Sequence, residues 1–450
     1  MTAKPPFAIA ALAAVALSAC SSTGGVNLWP FSDGPSKSTE PREGRITILA
    51  FEQKLEADPE LAGVSLSLPP QTPVANWTQP GGPADNAPDN MQASGAFAIA
   101  WRRDIGAGSS DQLRLTAPPV VADGRIYALD ADQSLTALDL KDGRQLWRRD
   151  LRPTSGSDRQ GIGGGVAFAD GRLYVTSGLG YMAALNAADG REIWRAESRV
   201  GFHAAPTVSG GRVFAVTNDS ELVAVDALTG AIQWNFQAIA EPARILSASS
   251  PAVDGDLVIA PFASGELAAL LAPNGRRLWT DALTRAGRLT SLSAINDIAG
   301  RPVVKGGFVY AASHSGILAA IDQRTGQRAW ARGFASTQTP LVVGDALFAV
   351  SVDGDLAAIE RTTGRIQWVR QLPRFVDETN RQGRIAWTGP TLAASKLVLA
   401  SSEGDAVVID PATGQTDRTF KLGGKVFIPP IAAGGTVFML TDDATLIALR

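Results

Sequence analysis

A motif recurring about every 44 residues, a tryptophan fixed within it, and an incomplete copy at each end of the repeated region predict an all-β fold. The expected architecture is an eight-bladed β-propeller of four-stranded antiparallel blades, with its last blade closed by an N-terminal strand. A signal peptide over 1–19 and a flexible tether over 20–96 are expected before the propeller at 97–450.

Each unit reads as a Gly-containing turn, an apolar strand, a second turn, a strand ending Ala-φ-Asp (φ apolar), a Thr-Gly or Asp-Gly turn, and a Trp four residues after that glycine. Ala137-Leu138-Asp139 leads to Gly143 and Trp147, Ala184-Leu185-Asn186 to Gly190 and Trp194, and Ala224-Val225-Asp226 to Gly230 and Trp234. Ala269-Leu270-Leu271 leads to Gly275 and Trp279, Ala320-Ile321-Asp322 to Gly326 and Trp330, and Ala358-Ile359-Glu360 to Gly364 and Trp368. A seventh copy, Val408-Ile409-Asp410 to Gly414, carries Arg418 at the Trp position.

Within a unit, side chains alternate with period two, as in Arg212 to Val216 and Glu221 to Val225, and the turns between such runs are short and polar. Short turns force antiparallel neighbours, so one unit makes one twisted sheet. Such a sheet has two apolar faces, and radial stacking buries both. The run Leu446-Ile447-Ala448-Leu449-Arg450 reaches only the middle of the motif, while Phe97 to Arg102 supplies a Trp101 strand with no Ala-φ-Asp before it. Joined, the two halves make the eighth blade and remove the open edge.

Seven of the ten Trp hold the repeat position: Trp101, Trp147, Trp194, Trp234, Trp279, Trp330 and Trp368. A buried Trp contributes roughly 4–6 kcal/mol as an upper bound, so a ring of plugs between blades is the expected role. The recurrent Asp139, Asp226, Asp322 and Asp410 are read as turn residues, whose side chains accept backbone N–H bonds, rather than as metal ligands.

The N-terminus reads as an address. Lys4 precedes an apolar run from Phe7 to Leu17, too short to span a bilayer, and then Leu17-Ser18-Ala19-Cys20. That order resembles a bacterial lipobox, which implies lipidation of Cys20. Ser21 stands where Asp would retain a lipoprotein in the inner membrane, so the expected location is the outer membrane, lipid-anchored and facing the periplasm. Residues 21–96 hold ten of the 27 Pro and eight Gly, a composition suited to a tether. Within it, a short helix around Ile46 to Leu55 and a pin at Trp77 are expected.

Composition removes most chemistry. A net charge of −3 gives no field for a polyanion, so nucleic acid is not an expected partner. One Cys excludes a disulfide framework, and His203 and His314 supply few ligands for a catalytic metal. Neither histidine sits in a recognisable nucleophilic constellation, and both read as loop or turn residues. No catalytic residue and no metal site is expected.

The repeat resembles that of quinoprotein dehydrogenases, which hold pyrroloquinoline quinone beside Ca²⁺ and stack it on adjacent cysteines. Here the Cys pair is absent and short units leave little for the insertions that wall such a pocket; no cofactor is expected. With its lipobox, Pro-rich tether and bare blades, the whole chain is most similar to the BamB family of outer-membrane assembly-factor lipoproteins. The resemblance implies a non-catalytic scaffold that docks on the barrel insertase BamA and assists insertion of outer-membrane proteins, with unfolded substrates as further partners. It places the contact on loops of central blades, matched here by Arg244 to Pro251, with Arg244, Ile245 and Leu246 as contact residues, and by Ser291 to Asp297, with Asn296 and Asp297. Another reading is a periplasmic propeller that binds cell-wall glycan or another envelope protein, for which Phe202, Phe262, Phe375 and Trp387 are the available aromatics. A quinoprotein dehydrogenase is the least supported.

Overall fold

The computed structural model describes residues 55–61, 63–64, 66–153, 161–240, 249–284 and 296–450. Its regular structure is almost wholly β, arranged as eight four-stranded antiparallel sheets in a ring. Blades 1 to 7 span 120–150, 164–197, 207–237, 252–282, 303–333, 341–371 and 387–421. Strands within a blade are named A to D in chain order; in blade 3 they are Thr207–Ser209, Arg212–Val216, Glu221–Asp226 and Ile232–Gln237. The A strands of neighbouring blades touch one another around the axis, and the D strands are the most exposed.

Blade 8 takes strands A to C from Ile431–Ala433, Thr436–Leu440 and Thr445–Leu449, and its D strand from Ile99–Asp104. Trp101 pairs with Ala448, and Ala98 and Arg450 exchange both backbone hydrogen bonds. The two incomplete units therefore meet as one sheet, and the ring closes by antiparallel pairing.

Sheets stack through a repeated row. In blade 1, Tyr127, Ala137 and Trp147 face one another across strands B, C and D. The small alanine lets the two flanking rings meet over it, at centroids 6.0 Å apart and a tilt of 43°. The same aromatic pair recurs as Tyr174–Trp194, Phe214–Trp234, Tyr310–Trp330, Phe348–Trp368 and Phe438–Trp101. The residue before each D-strand Trp forms a β-bulge, as at Ala224 and Val225 opposite Trp234 and Ile232, which adds local twist.

Each Trp then reaches the next blade. The indole lies under the glycine of the following C–D turn, where an added Cβ would come within 2.6 Å of the Trp194 ring at Gly230, of Trp234 at Gly275 and of Trp330 at Gly364. These glycines have φ of +76°, +69° and +72°, so the turn needs glycine for its backbone as well as for its space. The indole N–H closes the contact: Trp234 Nε1 donates to Ala272 O at 2.9 Å, Trp279 to Gln323 O at 2.9 Å and Trp368 to Pro411 O at 3.0 Å.

Arg418 has a structural reason. It pairs with Val408 at the Trp position of blade 7, but blade 8 has no C–D turn for an indole to enter, because those strands come from residues 445–449 and 99–104. The guanidinium instead donates to Ala96 O across the seam. At the next junction, the Leu140 carbonyl that would receive Trp101 is taken by Arg450 at 3.1 Å, and Trp101 Nε1 has no partner.

The stretch expected as a tether divides. Residues 1–54, which include Cys20 and most of the expected short helix, lie outside the described residues; residues 55–58 are not helical, and a single 3-10 turn follows at Pro59–Leu61. The described residues of 55–96 belong to the same compact unit as residues 97–450. Composition argued against a core within this segment, and it has none. It borrows the propeller's, with Trp77 and Met91 5% and 1% exposed inside the cluster formed by blades 1, 7 and 8. In the connection 371–388, a hairpin of Phe375–Asp377 and Gln382–Arg384 is tied down by Arg374 and Arg384, both paired with Asp353 at 2.9 and 2.6 Å.

The lock between blades makes two predictions for denaturant unfolding. Trp234→Ala should cost about 3–5 kcal/mol. Gly275→Ala, which meets the Trp234 ring at 2.6 Å, should cost about 3 kcal/mol or more, whereas Gly255→Ala, also at positive φ but with open space around it, should cost about 1–2 kcal/mol. Equal losses for the two glycines would show that the turns do not clamp the indoles.

Candidate functional site

Two regions are candidates, and the strand order places them. The D–A connections and B–C turns share one face of the ring, here the connection face; the A–B and C–D turns share the other, the turn face.

The first region is the axis. An A strand has no neighbour on its axial edge, so its N–H groups there need partners or must be absent. Proline supplies the absence in seven of the eight blades: Pro119, Pro206, Pro251, Pro302, Pro340 and Pro430 each stand immediately before the first paired residue of strand A, and Pro390 stands inside the A strand of blade 7, just before Thr391. The segment 72–91 supplies the partners by one circuit of the ring. Val74 O accepts from Gly434 in blade 8, Trp77 pairs with Val121 in blade 1, and Thr78 O accepts from Phe168 in blade 2. Gln79 holds both backbone groups of Val208 in blade 3 through its side-chain amide, at 3.1 and 3.2 Å. Ala84 O, Asp85 O and Met91 O accept from Val253, Val304 and Ala394 in blades 4, 5 and 7. One residue per blade over 77–79 works because neighbouring A strands converge at the axis to about the reach of one extended residue. The segment enters from the turn face, and Asn86 reaches deepest, donating to Pro302 O at 2.9 Å.

Behind this plug, toward the connection face, lies a cavity of about 40 Å³. It is walled by Trp77, Asn86, Arg301, Thr339 and by Pro340, Pro390 and Pro430 of blades 6 to 8. That volume suits roughly three waters; a fused three-ring quinone does not fit. Among the described residues no group of three His, Cys, Asp or Glu side chains is placed to hold a metal ion. Arg301 is 7% exposed, and burial alone pulls its pKa down to about 10, so the guanidinium stays charged at neutral pH.

The second region is a cleft of about 50 Å³ between blades 3 and 4 on the connection face, lined in part by the described ends of the two stretches expected to contact a partner. Arg244, Ile245 and Leu246 lie outside the described residues. The described ends of the two stretches line the same cleft, through Ser249 and Asp297 with His203 beside them, and Ser249 Oγ donates to Gly300 O at 2.9 Å. Asn296 is half-buried, its backbone running over Gly265. Asp297 was expected as an exposed acid for a partner, but it is 3% exposed, and its carbonyl accepts from the His314 N–H at 3.0 Å. The loop sequence showed an acid among small polar residues; it did not show that the chain dips between the blades there. His314 Nδ1 is buried without a partner.

Sequence reasoning missed the plug's circuit, the proline ring and Arg301. The proline ring was open to detection, since proline recurs about one blade apart at or near the start of strand A in seven of the eight blades; nothing in the pattern marked Arg301 from other arginines.

Fold and site together define a class: an eight-bladed propeller of quinoprotein-type repeats whose axial space is filled by its own chain. The family model described as "Outer membrane protein assembly factor BamB" matches residues 95–160, 154–370 and 376–450, and the chain belongs to that family. Curated relatives of that name include one from Shigella dysenteriae, 26% identical over 404 residues (78% of this chain, 88% of the relative), and one from Vibrio cholerae, 36% identical over 236 residues (52% and 60%). The chain spans about three fifths of the length of several curated relatives it matches, 61% for that of Yersinia pestis. The crystal structure of BamB from Moraxella catarrhalis superposes with a TM-score of 0.66 at 21% identity, covering 78% of this chain and all of that one. A quinohemoprotein alcohol dehydrogenase from Comamonas testosteroni reaches 0.64 at 14% identity, covering 88% of this chain and 82% of that one, which shows the shared fold alone.

If the plug is integral to the ring, Gln79→Ala, which strands two buried backbone groups of Val208, should cost about 2–4 kcal/mol in equilibrium unfolding. Gln71→Ala, which loses one exposed bond to Ser395, should cost under about 0.5 kcal/mol.

Proposed function

We propose that this chain is a non-catalytic scaffold lipoprotein of the outer-membrane β-barrel assembly machinery. It docks on the barrel insertase BamA through the connection face and assists folding and insertion of outer-membrane proteins. The observation that carries this reading is the match of the assembly-factor family along the propeller; among the described residues no group of three His, Cys, Asp or Glu could hold a metal ion. The axial cavity of about 40 Å³ is too small for the cofactor of the fold's oxidoreductases and has no carboxylate among its lining residues to hold a Ca²⁺ ion. What the fold offers instead is surface, and the connection face carries the longest departures from regular blade structure, including the 375–384 hairpin with Val376 64% exposed.

Cys20 is the proposed lipid anchor, on the outer membrane and facing the periplasm. Several acyl chains on one residue hold a protein at a bilayer far longer than one, at about 0.8 kcal/mol per buried CH₂. The proposed contact is centred on Arg244, Ile245 and Leu246, a cation beside aliphatics of the kind that anchors interfaces, with half-buried Asn296 and buried Asp297 at its edge. The glycan reading loses its platform: Phe202, Phe262 and Trp387 are all buried.

A pull-down from detergent-solubilised envelopes tests the proposal. The tagged wild type should co-purify a large β-barrel protein, and the Arg244→Glu, Leu246→Glu double variant, if it still melts cooperatively, should retain about tenfold less. Absence of any barrel protein with the wild type would end the assembly-factor reading; equal retention by the variant would move the contact elsewhere on the propeller.

A further inference from the structure

Three buried polar atoms without a hydrogen-bond partner, Arg301 Nε, Trp77 Nε1 and Asn86 Oδ1, belong to residues that line the axial cavity. Arg301 is the costly one. Its backbone N–H bonds Thr339 Oγ1 at 3.0 Å, but its guanidinium makes no hydrogen bond or ion pair among the described residues. Other arginines in the ring find carboxylates even where they are far more exposed, such as Arg328 with Asp281 and Arg148 with Asp130, each at 2.7 Å. A cation withdrawn from water with no counter-charge costs several kcal/mol, and a buried group left unsatisfied calls for a missing partner.

The cavity states what that partner is. No Asp or Glu lines it, so the charge is not balanced from within. The guanidinium is a planar fork of donors matched to two oxygens of one anion. The Trp77 indole adds a neutral donor. Asn86 Nδ2 is committed to Pro302 O, which fixes the amide with Oδ1 as an acceptor still lacking a donor. An oxyanion that keeps one O–H satisfies both kinds of group. Space for roughly three waters admits one such group and excludes a nucleotide.

We infer that the axial cavity binds a small oxyanion, a phosphate or carboxylate group, with Arg301 as its counter-charge and the Trp77 indole as a second donor, and with Asn86 accepting from the O–H of a phosphate that keeps a proton. The site sits where the plug meets the connection face, so a bound anion ties segment 77–86 to blades 5 to 8. This inference stands apart from the docking proposal, since it concerns the purified chain alone.

Melting and titration calorimetry of the full chain at pH 7 test it, with inorganic phosphate and acetate as probes. Phosphate should raise the wild-type melting temperature saturably by about 2 °C and bind one to one, with acetate weaker because it carries no O–H for Asn86. Arg301→Met should lose the saturable part and keep only the gradual rise common to stabilising salts. Trp77→Phe, which removes the N–H and keeps most of the ring, should raise the half-saturating concentration about threefold or more. A saturable effect of acetate equal to that of phosphate assigns the site to carboxylates and removes the role of Asn86. Unsaturable rises that are the same in wild type and Arg301→Met would overturn the site. Should Arg301→Met fail to melt cooperatively, calorimetry of the wild type decides: no one-to-one heat with either probe means no anion site.

Discussion

Everything in this ring depends on the indole that leaves one blade and enters the next. A four-stranded sheet cannot bury both faces by itself, and flat apolar faces stacked radially would slide. The tryptophan prevents sliding in two ways. Its ring fills the space that a glycine turn leaves open, and its N–H finds one carbonyl just past the Ala-φ-Asp run of the next blade, as Trp234 finds Ala272. The first term is burial, large and non-directional; the second is a hydrogen bond of about 1 kcal/mol net, but it sets register. The motif is therefore one device divided between two repeats, with Ala and Trp supplied by one blade and Gly and carbonyl by the next.

A ring built this way has two kinds of unpaired strand to manage, and it treats them differently. The open edge that a linear array would leave is closed by hydrogen-bonded pairing of strands from opposite ends of the propeller sequence, residues 99–104 with 445–449. There the indole device cannot operate, because the turn that would receive it does not exist, and arginines take over on both sides of the seam: Arg418 on Ala96 and Arg450 on Leu140 and Lys141. An arginine reaches a carbonyl without needing a cavity for a ring. The axial edges are closed by subtraction and addition, with proline removing an N–H at the start of strand A and segment 72–91 supplying carbonyls for those that remain.

The blade count and the seam were legible because they rest on covalent periodicity: a Trp every 44 residues or so cannot be hidden by tertiary context. The aromatic partner on strand B was equally periodic, as Tyr127, Tyr174, Phe214, Tyr310, Phe348 and Phe438, but its meaning needs the cross-strand register that puts it over the same alanine as the Trp. The plug was illegible for the opposite reason. Its contacts are one residue deep per blade and made chiefly by backbone, so side-chain pattern carries almost none of them; a Pro- and Gly-rich composition reads as tether whether the chain is loose or laid against a surface that satisfies it. The burial of Asp297 was illegible in the same way, since a polar loop sequence does not state its depth.

The fold is shared with the quinohemoprotein alcohol dehydrogenase at a TM-score of 0.64, and a shared fold does not carry its chemistry with it. Catalysis on such a ring needs a volume for a cofactor and side chains that change charge or protonation beside it. Here the axial volume is reduced to about 40 Å³ by the chain's own N-terminal segment, and the charged group that faces it, Arg301, does not give up its proton at neutral pH. A fixed cation can hold an anion but cannot act as a general base, and Thr339 beside it has no base to activate it among the lining residues. The interior is thereby committed to holding the ring together. What the molecule can vary without losing that is its connection face, and recognition of other proteins is the class of function that such a division leaves open.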